Sequence, residues 1–129
     1  MPEVNRGNRP LSPFMIGPYY RPQLTSISSI LVRITGIGLL VVTALIVWWL
    51  IAAATSEAAF SFINGLLCSW FGDLILLFAT WAAFYHMLGR LRHVVWDFGY
   101  CLDVETSEMM AKGMFMVSTL LTIFVIVVT

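Results

Sequence analysis

The sequence has 129 residues, of which 60% are hydrophobic, 14% are aromatic and 11% are charged, and its mean hydropathy is +0.89. A water-soluble domain of this size cannot bury so much apolar surface, and so apolar a composition also excludes intrinsic disorder. Seven Lys and Arg balance seven Asp and Glu, so the charge gives no indication of a nucleic-acid partner. The composition therefore predicts a protein embedded in membrane lipid.

Residues 1–24 are predicted to form an arm on the cytoplasmic side of the membrane. The segment contains all five prolines of the chain and has no apolar core, which argues against a cleavable signal peptide. Pro22 suits the turn into a first helix, and the hydroxyls of Thr25 and Ser26 are expected to cap that helix.

Three segments are apolar and long enough to cross a bilayer, and we predict spans at about 25–54, 67–93 and 109–129. The first contains 21 consecutive uncharged residues, about 31 Å of helix against a hydrocarbon core of roughly 30 Å. In the second, Asp73 and Arg90 bracket 16 apolar residues, which places Asp73 near one interface. The predicted fold is therefore an all-α membrane protein with a single domain of three transmembrane helices.

The basic residues predict the orientation, because Lys and Arg are retained on the cytoplasmic side of a membrane. They precede the first span and flank the connection between the second and third spans, whereas the connection at 55–66 has none. The N-terminus is therefore expected in the cytoplasm and the C-terminus outside. Trp48, Trp49 and Trp70 are placed to form an aromatic belt at the outer interface.

A first polar cluster lies on span one, where Ser26, Ser29, Arg33 and Gly36 follow one another at helical spacings of three, four and three. An ionisable group inside a span requires a partner or a wet cavity. Two interpretations are open: Arg33 extends its long side chain to the inner interface, or the stripe lines a functional site. Gly36 fits either a close contact between helices or a site beside the backbone.

A second cluster lies near the end of span two, where His86, Arg90, His93 and Asp97 share a helix face beside Arg92. His86 lies deep in the inner half of the membrane, where an imidazole either bonds to another helix or serves as an axial ligand of haem iron. The three neighbouring residues Arg90, Arg92 and His93 either face haem propionates or form the ordinary cytoplasmic cluster of positive charges.

The chain offers one deep histidine, and three helices are too few to surround a porphyrin. A haem with two imidazole ligands therefore requires a second membrane subunit. On this interpretation the chain is half of a heterodimeric haem-binding helix bundle.

Three ordered motifs make the chain resemble the larger haem-b anchor subunit of succinate dehydrogenase, respiratory complex II. The arm reads Arg9-Pro10-Leu11-Ser12-Pro13, similar to the family's R-P-x-S-P. Span one reads Ser29-Ile30-Leu31-Val32-Arg33-Ile34-Thr35-Gly36, similar to S-I-x-H-R-x-[ST]-G. Span two has His86, Arg92-His93 and Asp97-Phe98-Gly99, similar to H-x5-R-H-x3-D-x-G.

The resemblance implies a function in electron transport and the tricarboxylic acid cycle. His86 matches the ligand position for haem b, with the second axial imidazole from the smaller anchor subunit. Ser29 and Arg33 match positions of the ubiquinone pocket. The inner end of span two, with Arg92, His93 and Asp97, corresponds to the region that meets the haem edge and the iron-sulfur subunit.

The implied partners are the flavoprotein subunit, the iron-sulfur subunit, the smaller membrane-anchor subunit and the surrounding lipid. The chain itself has no flavin or dicarboxylate motif, so no independent activity and no catalytic residue for succinate are expected.

The sequence departs from the family pattern at three places. Val32 stands where span one usually has His, and Phe14 replaces a His that often follows the arm motif. Gly89 and Arg90 are shifted relative to the usual G-x-R-H, which puts a cation where glycine would permit close approach.

The sequence leaves two other functions open. A small transporter or channel would use Arg33, His86 and Asp73 as a relay, but a long apolar stretch separates Asp73 from the others. A haem-free structural anchor would use its polar residues only to dock an enzyme. The expected location is a bacterial inner membrane, crossed several times, rather than a mitochondrial one, since no Arg-rich presequence is recognised.

Overall fold

The computed structural model describes residues 12–128, which form four α-helices after a short 3-10 turn at Pro13–Met15. Helix α1 is Leu24–Thr55, α2 is Glu57–Leu67, α3 is Trp70–Asp97 and α4 is Val104–Val128. Residues 1–11 of the predicted arm, including Arg9, Pro10 and Leu11 of the arm motif, lie outside the described residues, as does Thr129.

Helices α1, α3 and α4 are each long and apolar enough to cross a membrane, so the predicted three-helix membrane fold is confirmed. Helix α1 alone measures about 48 Å, more than the roughly 30 Å of a hydrocarbon core. The end of the bundle where α1 begins, α3 ends and α4 begins is called the arm end below, and the opposite end the distal end.

The predicted cap of the first helix was wrong. Gln23 is the residue before the first helical turn and makes no side-chain capping bond. Thr25 and Ser26 lie inside α1, and the Ser26 hydroxyl donates to the Gln23 carbonyl at 2.7 Å rather than accepting from a backbone amide. The helix starts at Leu24, two residues after Pro22 and one residue before Thr25, the first residue of the helix with a side-chain hydroxyl.

The connection at the distal end contains a helix that the sequence interpretation did not include. Ser56 caps α2 by accepting from the Ala59 amide at 3.4 Å. The Ser69 hydroxyl accepts from the Gly72 amide at 3.3 Å, so α3 begins at Trp70, three residues later than expected. Helix α3 then continues to Asp97, which brings the whole second polar cluster onto one helix.

Helix α4 begins five residues before the predicted third span. The Asp103 carboxylate accepts from the Thr106 amide at 2.8 Å, which satisfies one of the free donors of the first turn. The buried face of α4 consists mostly of small residues, which lets α3 approach closely; its members are Ser107, Ala111, Met114, Ser118 and Thr122.

The three spanning helices pack against one another, and α3 makes the most extensive contacts with both neighbours. Each helix contributes one residue to the buried apolar cluster, namely Val32, Tyr85 and Met114. Tyr85 is fully buried, and its ring lies 4.9 Å from those of both Trp81 and Phe115. This cluster fixes the register of α3 against α1, and therefore the positions of the polar residues on both.

Candidate functional site

His86 lies against the backbone of α1. Its Nδ1 is 2.9 Å from the Val32 carbonyl oxygen, which can only accept, so Nδ1 carries the proton. The Thr35 hydroxyl lies 3.5 Å from the same nitrogen. The other ring nitrogen, Nε2, is thereby left without a proton and able to bind a metal, the arrangement in which protein histidines usually hold one.

Gly36 makes room for the imidazole. A Cβ atom at this position would lie 2.9 Å from His86 Cε1 and 3.3 Å from Nδ1, closer than side chains tolerate. Gly36 is therefore required for the close approach of the ring to α1, which was one of the two interpretations left open for it.

Arg92 does not face outward with the other cations but turns into the bundle, where only 6% of its surface is exposed. Its Nη1 donates to the Ser28 hydroxyl at 3.0 Å and approaches Met114 Sδ at 3.8 Å. The guanidinium lies 4.1 Å from the ring centre of Trp96. The Nε atom is buried and has no hydrogen-bond partner among residues 12–128.

Ser28 joins Arg92 to the centre of the bundle. Its fully buried hydroxyl also accepts from the Tyr85 hydroxyl at 3.1 Å. Sequence reasoning included Tyr85 in the second polar cluster without a role, and it missed Ser28 because it followed the neighbouring face of α1 through Ser29 and Arg33. The available signal was spacing: Tyr85, Gly89 and Arg92 are four and three residues apart, on one face of α3.

A cleft of about 270 Å³ opens beside this network at the arm end. Helix α1 contributes four hydroxyl side chains to its lining, including the predicted Ser29, and α3 contributes Arg92, His93 and Trp96. No acidic residue is among the lining residues, so the cleft combines hydroxyl groups with positive charge.

The other predicted site residues are not drawn into this network. Arg33, Arg90, His93 and Asp97 are exposed on the surface of the bundle. The His93 ring lies edge-on to Trp96, with 5.1 Å between ring centres. An exposed cation at membrane depth in the isolated chain is consistent with a surface that another subunit covers.

Two of the departures from the family pattern meet in space. The Cγ2 atom of Val32 occupies the position that a Cβ atom on residue 89 would need, and Met114 Cε lies 3.2 Å from that position. The glycine shifted to position 89 therefore accommodates the valine that stands where the family usually has histidine.

An apolar groove of about 500 Å³ runs between α1 and α3 on the distal side of His86. Thr35 and Gly38 line it from α1, and Phe78 and Ala82 line it from α3. Asp73 belongs to a separate cleft of about 250 Å³ with Thr80 and Thr122. The structure thus does not bring Asp73 together with the groups at the arm end.

Within residues 12–128, no group of three or more His, Cys, Asp or Glu side chains is placed to hold a metal ion. An iron already held by a porphyrin needs only axial ligands, and His86 offers one with its second nitrogen bonded to a carbonyl. The residues present therefore fit an axial contact to haem iron.

Comparison with known proteins gives a consistent result. Residues 5–125 match the family described as "Succinate dehydrogenase/Fumarate reductase transmembrane subunit". The chain is 42% identical over 128 residues to the succinate dehydrogenase cytochrome b556 subunit of Paracoccus denitrificans, covering 99% of this chain and 97% of that protein.

Two relatives of lower identity are also named as cytochrome b subunits of succinate dehydrogenase. The protein of the same name from Rickettsia conorii is 30% identical over 115 residues, covering 89% of this chain and 88% of the relative. The succinate dehydrogenase cytochrome b560 subunit of Chondrus crispus is 34% identical over 101 residues, covering 76% of this chain and 78% of the relative.

Proposed function

Because this chain belongs to the succinate dehydrogenase/fumarate reductase transmembrane-subunit family, we propose that it connects a membrane-bound succinate dehydrogenase to ubiquinone. The physical problem is one of location, since electrons leave a soluble enzyme whereas the isoprenoid tail of the quinone stays in lipid. This subunit supplies the membrane half of the junction and takes no part in succinate chemistry.

The observation that carries the proposal is the hydrogen bond from His86 Nδ1 to the Val32 carbonyl. With Nδ1 bonded to that carbonyl, Nε2 of the neutral imidazole would be the atom that binds the iron of haem b, and Gly36 leaves room for the ring beside α1. Haem b, when bound, supplies a one-electron store beside the quinone. The second axial imidazole comes from the smaller anchor subunit, because His86 is the only histidine of this chain at that depth.

Ser29 and Arg33 contribute to the ubiquinone site. Ser29 borders the cleft at the arm end and donates a hydrogen bond to a quinone carbonyl, while Arg33 stabilises the charge that develops on the quinone oxygen. Ser29 is half-buried and Arg33 is exposed in the isolated chain, which fits a pocket whose remaining walls come from the iron-sulfur subunit and the smaller anchor subunit.

The exposed residues at the end of α3 are proposed to contact haem and the iron-sulfur subunit. Arg90 and His93, unlike the inward-turned Arg92, are exposed at the arm end, where they would offset the charge of the haem propionates. Asp97, exposed at the last residue of α3, docks the iron-sulfur subunit, which carries the flavoprotein subunit. The positive charges at this end favour its location on the cytoplasmic side of a bacterial inner membrane.

The ligand assignment is tested by His86→Ala in the purified four-subunit complex, with His93→Ala as the matched control on the same helix. We expect His86→Ala to lose the absorption spectrum of a low-spin haem with two axial ligands, and His93→Ala to retain it. Co-purification of all four subunits verifies assembly. An unchanged low-spin spectrum in His86→Ala would refute the assignment.

A further inference from the structure

The cleft beside Ser28 and Arg92 has a feature that the proposed function does not use. Its lining carries the positive charge of Arg92, and none of its lining residues is acidic. We propose that Arg92 is a further head-group residue of the quinone site that Ser29 borders. This inference rests on the proposed quinone function and adds a contact, together with the residues that position it.

The charge of Arg92 lacks compensation among the described residues. Arg92 as a whole is 6% exposed, its guanidinium bonds to a neutral hydroxyl and a thioether, and its Nε has no partner within residues 12–128. A buried cation without a counter-ion is unfavourable, so an oxygen that gains negative charge beside it is stabilised. A quinone oxygen gains such charge as it takes up electrons, before protons from the aqueous side neutralise it.

The guanidinium is fixed before any ligand arrives. Ser28 and Met114 hold its Nη1, and Trp96 covers one face of its plane. The Ser28 hydroxyl is fixed in turn by Tyr85, whose ring is stacked on Trp81 at an angle of 14°. Donors held in place this way need no reorganisation when charge develops. Ser28 and Tyr85 are therefore positioning residues for Arg92.

The cleft is large enough for the ring of a quinone. A cavity of about 150 Å³ holds one benzene ring, and the cleft measures about 270 Å³. Val32 and Gly89 line the cleft, whereas His86 does not. A ligand in the cleft is thus separated from the imidazole by the Val32–Gly89 contact.

The experiment compares Arg92→Gln with Lys112→Gln, which removes an exposed cation from α4 without touching the cleft. In the assembled complex we expect Arg92→Gln to lower kcat/KM for a short-chain ubiquinone by about 10- to 100-fold, as for loss of a hydrogen bond from a charged group. Succinate oxidation by a soluble artificial acceptor and the haem spectrum should stay unchanged. Lys112→Gln should match the unaltered complex in all three measurements.

Tyr85→Phe tests the positioning role and guards against a failure of Arg92→Gln to fold. This change keeps the stacked ring and removes only the bond to Ser28. We expect KM for the quinone to rise several-fold while the rate with the soluble acceptor stays constant. A purely structural role would instead lower both rates together and would overturn the positioning claim.

The outcomes separate this inference from the proposed function. If Arg33→Leu impairs quinone reduction while Arg92→Gln and Tyr85→Phe do not, the inference is wrong and the proposed function stands. If Arg92→Gln alters the haem spectrum but not KM for the quinone, the cleft holds a propionate and the inference is again wrong. If neither Arg33→Leu nor Arg92→Gln affects quinone reduction, both this inference and the proposed quinone function are wrong.

Discussion

The Val32 side chain fills the space that a Cβ atom on residue 89 would occupy, so the α1–α3 contact depends on a valine facing a glycine. Both residues border the cleft at the arm end, and the Val32 carbonyl also holds His86. A single contact between two helices thus sets the spacing of the cleft and of the imidazole.

Gly89→Ala is therefore expected to destabilise the bundle. The added methyl meets the stiff, branched Val32 side chain, and overpacking of this kind costs about 1–3 kcal/mol. The thermal midpoint of the purified complex should fall. Introducing Val32→Ala into the same chain should recover part of the lost stability. The double variant should therefore lose less stability than the two single variants lose in total. Strict additivity would show that the two residues do not press on each other.

Gly36→Ala is expected to disturb the haem site more than the fold. Its methyl would lie 2.9 Å from His86 Cε1 and push the imidazole away from the Val32 carbonyl. We expect a shift in the low-spin haem spectrum or a lower haem content per complex. Gly38→Ala is the matched control on the same helix, since no atom lies within 4 Å of its added methyl. Equal effects of the two variants would contradict this account.

The sequence allowed the three spans to be predicted because long uncharged runs leave few alternatives in a bilayer. It did not reveal α2, since an 11-residue helix in a connection has neither the length nor the apolar run of a span. That helix is held by contacts distant in sequence: Trp49 Nε1 donates to Asn64 Oδ1 at 3.3 Å, and Trp49 packs on Phe60.

Only part of the candidate site at the arm end could be predicted, because its geometry also depends on contacts between residues distant in sequence. Spacing placed Ser29, Arg33 and His86 on the correct helices, but it did not indicate which face of each helix would be covered. Arg92 looked like one more cation of the cytoplasmic cluster. Its inward direction is set by Ser28 and Trp96, which only the packing of α1 against α3 brings within reach.

Gly72 is expected to be indispensable at the distal end. A Cβ atom there would overlap the backbone carbonyl of Leu67, and backbone cannot move aside as a flexible side chain can. Gly72→Ala should therefore separate α2 from α3 and sharply lower the yield of assembled complex. Gly65→Ala lies in the adjacent helix with open space around its added methyl, so it should assemble normally. Normal assembly of both variants would contradict the close approach.

The first turn of α4 should respond to acid through Asp103. Hydrogen bonds from the Thr106 side chain, first, and from the Thr106 backbone amide lower the pKa of this carboxyl below its ordinary value of 3.8. The ionised form is therefore favoured by folding, and its stabilising contribution is complete above that value. As the pH falls through the lowered pKa, the contribution is lost.

Hydrogen exchange at the Thr106 amide measures this effect after correction for the intrinsic pH dependence of exchange. At neutral pH, Asp103→Ala should weaken protection of this amide, whereas Asp103→Asn retains an acceptor oxygen and should preserve most of it. Equal protection in the alanine variant and the unaltered chain would show that the capping bond does not hold the turn.

Arg33→Leu tests the quinone role on the exposed face of α1. Removing the guanidinium takes away the charge proposed to stabilise the developing quinone oxyanion, so quinone reduction should fall by about 10- to 100-fold. Succinate oxidation by a soluble acceptor should persist, because that reaction does not pass through the membrane subunit. Arg21→Gln removes an exposed cation of the arm and serves as the charge control. If Arg33→Leu lowers both activities equally, Arg33 acts in assembly, and its assignment to the quinone site is wrong.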